Sequence, residues 1–156
     1  MKKDYIEYSK RFDVFSSYFF NDKDLSEFDR DKKIVFIKSK KVSYSNIRMK
    51  LYYIWLTTFK SNMNVAIVSK DINEAITNMQ DIKKLIRDLP ENIKPKYITV
   101  RKDLIVFENN SSIRSLTSDS LDNKIRGLTF NSMALSNEDL SKYYDDVIPR
   151  LVNYIK

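Results

Sequence analysis

The residues best placed to handle an anionic group run from Lys38 to Asn46, Lys-Ser-Lys-Lys-Val-Ser-Tyr-Ser-Asn, directly after the β-branched run Ile34-Val35-Phe36-Ile37. A strand entering a helix through such a loop can cradle a phosphate, because the first amides of the helix point at the ligand and the helix dipole adds positive potential. Ser39, Lys40, Lys41, Val42, Ser43, Tyr44, Ser45 and Asn46 are therefore the candidate cofactor-binding residues. An active phosphate loop requires Gly at the place of Ser43 for close backbone approach. It also requires Lys at the place of Tyr44 to reach the terminal phosphates, followed by a hydroxyl residue for magnesium. Only the hydroxyl, Ser45, is present. A phenol carries no positive charge at neutral pH, and phosphoryl transfer depends on charge placed beside the transferring group, so efficient ATP hydrolysis is not expected.

Composition narrows the remaining chemistry. The 156 residues contain no Cys and no His, which removes disulfides, thiolate nucleophiles, histidine bases and Cys/His zinc sites. With 28 basic and 21 acidic residues the chain carries a net +7, and residues 1–50 hold 13 basic against 8 acidic side chains. Between residues 32 and 50 seven basic residues occur with no acid among them. Of these, Lys38, Lys40, Lys41, Arg48 and Lys50 form the candidate nucleic-acid-binding set; the alternative is the solvated rim of a basic protein. Glu138-Asp139 and Asp145-Asp146 could hold a divalent cation, or simply favour a helix start. Asp119 and Asp122 read as turn or cap residues. Arg126 adjoins the single glycine, Gly127, and is read as lying in a ligand cleft or in a plain turn, the glycine marking an excluded side chain or a positive φ.

The elements that position these residues follow from periodicity. Tyr5, Tyr8, Phe12, Phe15, Tyr18 and Phe19 recur at helical steps, so residues 1–30 read as an aromatic helical arm packing on a core. Ile34–Ile37 and Val65–Val68 read as buried strands. Ser45–Phe59 reads as a helix with Ile47, Leu51, Ile54, Trp55 and Phe59 on one face and Ser45 or Asn46 as its N-cap. Trp55, Tyr52 and Tyr53 are assigned to the core. Ile72–Leu89 reads as an amphipathic helix ended by Pro90. Tyr97–Val100 and Leu104–Phe107 read as a hairpin, Ser112–Leu116 as a strand after the Asn109-Asn110 turn, and Thr129–Leu135 as the last strand. The β-α-β-α order predicts an α/β domain with a mainly parallel central sheet flanked by helices.

Several segments together resemble the N-terminal ATPase domain of the bacteriophage terminase large subunit, the motor that packages DNA into phage heads. Ile34–Ser45 stands where that family has a strand and a Ser-Arg-Gln-apolar-Gly-Lys-Ser/Thr Walker A loop, with Lys40, Lys41, Ser43 and Tyr44 replacing Arg, Gln, Gly and Lys. Asn64–Ser69 resembles its second strand, and Asp81–Pro95 its helix ending in Leu-Pro. Phe107–Ile113 is similar to its Asn-Gly-Ser-Ser-Ile turn, and Arg126–Phe130 to the Arg-Gly before its Walker B strand. Ser136 and Asn137 fall where that strand would end in acidic residues, with Glu138 and Asp139 next.

The resemblance implies that residues 31–156 form a truncated P-loop NTPase-like core with a β-hairpin insertion, without the family's nuclease domain. It implies a non-catalytic terminase-like protein of viral or mobile-element origin that binds packaging components or DNA and modulates or competes with genome packaging. The expected partner is a packaging motor or related phage component, with DNA as a second partner and no membrane association. No cofactor is expected beyond weak ATP and Mg2+ binding, and no catalytic or metal-ligating residue is assigned. The expected location is the cytoplasm, that of the host cell if viral. The alternatives are a shortened or split ATPase subunit, in which Lys40 or Lys41 reaches the phosphates and Glu138 activates water, and a general basic nucleic-acid-binding domain.

Overall fold

Asn64–Ser69 (β2) is apolar on both sides of its pleat, with Val65, Ala66, Ile67 and Val68 all inaccessible to solvent, as expected for a strand in the middle of a sheet covered on both faces. The computed structural model describes residues 34–36, 44–120 and 127–135. Around β2 lie Ile34–Phe36 (β1), the helix Tyr44–Phe59 (α1), the helix Ile72–Arg87 (α2), Tyr97–Val100 (β3), Leu104–Phe107 (β4), Ser112–Thr117 (β5) and Ser132–Leu135 (β6). The six strands form one sheet in the order β1-β6-β2-β5-β4-β3. The first four strands in that order run parallel to their neighbours, while β4 pairs antiparallel with both β5 and β3. The domain is thus an α/β fold on an open mixed sheet. The expected arm 1–30 lies outside the described residues, as does Asn137 to Ile155, whose sequence reads as a mixed helical segment interrupted at Pro149.

Both helices pack on one face of the sheet and on each other. That face presents Val65 and Ile67 of β2, Ile113 of β5, Ile105 and Phe107 of β4 and Ala134 of β6, which are mutual neighbours by register. α2 lays Met79, Ile82 and Ile86 against them, the stripe expected from its sequence. Each large side chain buried in this way contributes about 1.5–3 kcal/mol of transfer free energy. α2 stops at Arg87, two residues short of the expected Leu89. Asp88 donates its amide to Lys84 and Ile86 carbonyls, and Leu89 precedes Pro90, a position where helical backbone is disfavoured. Leu89 is nevertheless buried.

α1 departs more from its sequence pattern. Every residue from Met49 to Thr57 is buried, so the helix has no wet side over its central two turns, and the single apolar face expected from Ile47, Leu51, Ile54, Trp55 and Phe59 understates its burial. Trp55, Tyr52 and Tyr53 are core residues as expected. The helix begins at Tyr44, which places Ser45 and Asn46 inside its first turn rather than at the N-cap.

The end of α1 is held by a loop fifty residues away. Asn109 Nδ2 donates to the carbonyls of Thr57 at 2.7 Å and Lys60 at 3.2 Å, and Ser111 Oγ donates to Lys60 O at 2.7 Å. Helix carbonyls left without intrahelical partners are thereby satisfied. The loop itself turns tightly, with Asn110 N bonded to Phe107 O at 3.1 Å and Asn110 at φ 62°, a left-handed conformation that Asn tolerates and Gly favours.

Candidate functional site

Ligands of α/β sheets bind at the carboxyl ends of parallel strands, so the register there decides which segments can share a site. Phe36 of β1 pairs with Leu135 of β6, Leu135 pairs with Val68 of β2, and Ser69 pairs with Thr117 of β5. These four strand ends are level. The chain leaving β1 reaches α1 at Tyr44, and the chain leaving β6 continues from residue 136. The strand before the lysine-rich loop and the strand before Glu138-Asp139 are hydrogen-bonded neighbours.

Tyr44, Ser45 and Asn46 lie in the first turn of α1, and Arg48 lies one turn further along. Lys38, Ser39, Lys40, Lys41, Val42 and Ser43 lie outside the described residues, as do Asp122, Arg126, Ser136, Asn137, Glu138, Asp139, Asp145 and Asp146. Gly127 adopts φ +77°, and a Cβ there would meet no atom within 4 Å, so the backbone conformation and not crowding requires glycine. Asp119 lies exposed in the 3-10 turn Ser118–Ser120, in keeping with its reading as a turn residue.

The two helix starts at this edge differ in charge. At α2, Asp71 accepts the Glu74 amide at 2.9 Å while Glu74 Oε2 accepts the amide of Lys70, the residue before the cap, at 2.6 Å, so the helix start is filled with its own carboxylates. Ser118 Oγ donates to Lys70 O at 3.2 Å, and Asn78 Nδ2 donates to Ser69 Oγ at 2.9 Å, which fixes the end of β2 beneath it. The first turn of α1 itself holds no acidic residue, so no carboxylate within that turn offsets the helix dipole.

Lys50 is a correction. It is only 3% exposed, and its ammonium donates to Asp81 Oδ2 at 2.7 Å across the α1–α2 contact. A cation engaged in this way serves the packing of the two helices and is withdrawn from the candidate nucleic-acid-binding set of Lys38, Lys40, Lys41, Arg48 and Lys50. The signal for it was its position within the apolar stretch Met49–Leu56, where a lone Lys needs an acidic partner.

Sequence reasoning also missed a buried polar pair beneath the sheet. Tyr53 Oη and Ser132 Oγ lie 2.9 Å apart, joining α1 to the start of β6. Burial pushes the Tyr53 phenol far above its ordinary range; the Ser132 hydrogen bond acts in the opposite direction and Tyr52 adds slightly to the rise. Next to this pair, Asn131 and Asn64 bond backbone to side chain at 2.8 Å, and Ser112 Oγ donates to Asn64 Oδ1 at 2.8 Å, so one polar chain ties the amino ends of β6, β2 and β5. These groups lie at the end of the sheet opposite the candidate ligand edge.

Among the described residues no group of three or more acidic side chains gathers to hold a metal, and no helix is long and apolar enough to cross a membrane. No protein-family model matches the chain, and no curated protein matches it.

Proposed function

We propose that this chain is a non-catalytic protein built on the plan of the terminase large-subunit ATPase domain, a shortened P-loop NTPase-like core that binds packaging components or DNA and modulates or competes with genome packaging. The observation that carries the reading is the pairing of β1 with β6. The strand whose loop resembles Walker A and the strand whose sequence context resembles Walker B run parallel side by side with level ends, Phe36 beside Leu135. Nucleotide and metal chemistry in such folds needs those two segments at one edge. Two backbone positions agree with the same alignment. Asn110 stands at the glycine of the Asn-Gly-Ser-Ser-Ile turn and adopts φ 62°, and Gly127 of the Arg-Gly pair adopts φ +77°. The inactive character rests on Tyr44, which opens α1 where an ATPase places its phosphate-bridging Lys.

The functional test is a reconstituted packaging reaction driven by an intact terminase motor. Added in large molar excess, the purified chain is expected to lower the amount of nuclease-protected DNA and to co-elute with the motor, its capsid portal or DNA. Unchanged packaging together with no co-elution with any of the three overturns the proposal.

A further inference from the structure

The strongest unexplained surface lies at the opposite edge of the sheet from β1 and does not depend on the reading above. β3 is the last strand in the sheet order and, among the described residues, pairs on one side only, with β4. Four large apolar residues are exposed among the described residues, and three of them belong to this four-residue strand: Ile98 at 61%, Val100 at 49% and Tyr97 at 40%. The register with β4 shifts between Tyr97 and Thr99, leaving Ile98 as the bulged, most exposed residue. An open apolar edge offers unpaired backbone groups and apolar side chains to any extended chain that can lie against it.

The charge around this edge selects among such chains. From residue 83 to residue 102 there are seven basic residues and two acidic ones, and one of those acids, Glu91, is paired with Lys94. Lys96 precedes the strand and Arg101 and Lys102 follow it, all exposed. Lys83 of α2 donates to Arg101 O at 2.8 Å, so the last turns of α2, with Lys84 and Arg87, stand beside the strand. Two acids flank β4: Asp103 is half-buried in the turn after Lys102, and Glu108 is exposed with its amide donating to Lys96 O at 3.0 Å, so basic residues outnumber acidic ones along the edge.

We propose that β3 is a docking edge for an extended acidic segment of a partner protein, which adds to the sheet as a seventh strand with its apolar residues against Ile98 and Val100 and its carboxylates against Lys96, Arg101 and Lys102. Main-chain hydrogen bonds supply the affinity in this mode of recognition, and alternate side chains with flanking charge supply the selectivity. A second copy of the chain is a poor occupant. Antiparallel self-pairing centred on the strand sets Lys96 opposite Arg101 or Lys102, and like charges directly opposite are destabilising. Single-stranded nucleic acid is less favoured, because Tyr97 is the only aromatic residue on the strand, its ring already stacks on Phe107 at 5.9 Å, and its exposed neighbours Ile98 and Val100 are aliphatic.

The test uses the whole chain and a labelled synthetic peptide, Asp-Glu-Val-Thr-Ile-Thr-Val-Glu-Asp, by fluorescence anisotropy at low salt, with hydrogen exchange read on the same complex. The proposal expects saturable binding, slower exchange of β3 amides on binding, and no binding of the same core flanked by Lys or carrying alternate N-methyl groups. The double variant Arg101→Glu, Lys102→Glu is expected to weaken binding about tenfold, equivalent to about 1.4 kcal/mol. Absence of binding, equal binding of the Lys-flanked peptide, protection elsewhere than β3, or displacement of the peptide from β3 by a tighter-binding oligothymidine each overturns it.

Discussion

Tyr53→Ala lowers the free energy of unfolding by about 3–5 kcal/mol in urea titration at neutral pH, the range for removing a fully buried aromatic side chain. Tyr53 is inaccessible to solvent at the centre of α1, and its hydroxyl reaches Ser132 on β6, so the substitution opens a cavity and leaves a buried hydroxyl unpaired. Tyr53→Phe separates the two effects: it keeps the ring and costs only about 1–2 kcal/mol for the lost partner of Ser132. It also changes the response to alkali. A phenol in the unfolded chain ionises near pH 10, whereas burial holds the folded Tyr53 protonated well beyond that. The unfolded state therefore releases the proton first. The stability contributed by this group is complete below about pH 10 and falls as pH rises above it, by up to about 1.4 kcal/mol per pH unit. Urea midpoints at pH 9 and above are expected to fall less steeply for Tyr53→Phe than for the unaltered chain. Identical slopes, or a loss below about 1 kcal/mol for Tyr53→Ala, contradict the burial described for α1.

Asn109→Ala is expected to cost about 2–3 kcal/mol, from the buried carbonyl and amide left without partners. One side chain closes two elements here: Nδ2 caps Thr57 O and Lys60 O, while Oδ1 accepts the Ser111 amide at 3.0 Å. Hydrogen exchange should quicken both in the last turn of α1 and in the loop at Ser111, because the same group braces both. Asn110→Gly is the control at the adjacent position. It keeps the left-handed backbone at φ 62° and should leave stability nearly unchanged, whereas Asn110→Val introduces strain of about 1–3 kcal/mol. Unaltered exchange in α1 after Asn109→Ala would mean that the loop does not hold the helix.

Much of the architecture was legible where burial leaves a periodic trace. The hairpin strands Tyr97–Val100 and Leu104–Phe107 begin and end where the two apolar, β-branched runs on either side of the polar Arg101-Lys102-Asp103 place them, and α2 shows its apolar stripe at helical spacing. α1 was harder to read because a helix buried on all sides has no polar face to set the period; Met49–Thr57 is apolar almost without interruption. The roles of Lys50 and Asn109 were hidden for another reason. Each is determined by a partner far away in sequence, Asp81 in one case and the carbonyls of Thr57 and Lys60 in the other, and no local pattern encodes such pairings. The candidate site divides the same way. Its loop composition could be read directly, but the fact that β1 lies against β6 is a long-range pairing that only the fold supplies.

The central claim is that a phenol at the head of α1 leaves this edge unable to hydrolyse a nucleotide. Its most direct test is steady-state phosphate release from Mg-ATP by the full chain, compared with Ser45→Ala. The account predicts no release above that variant's background. Sustained turnover that Lys40→Ala or Lys41→Ala abolishes would contradict it, because another cation would then be standing in for the missing lysine.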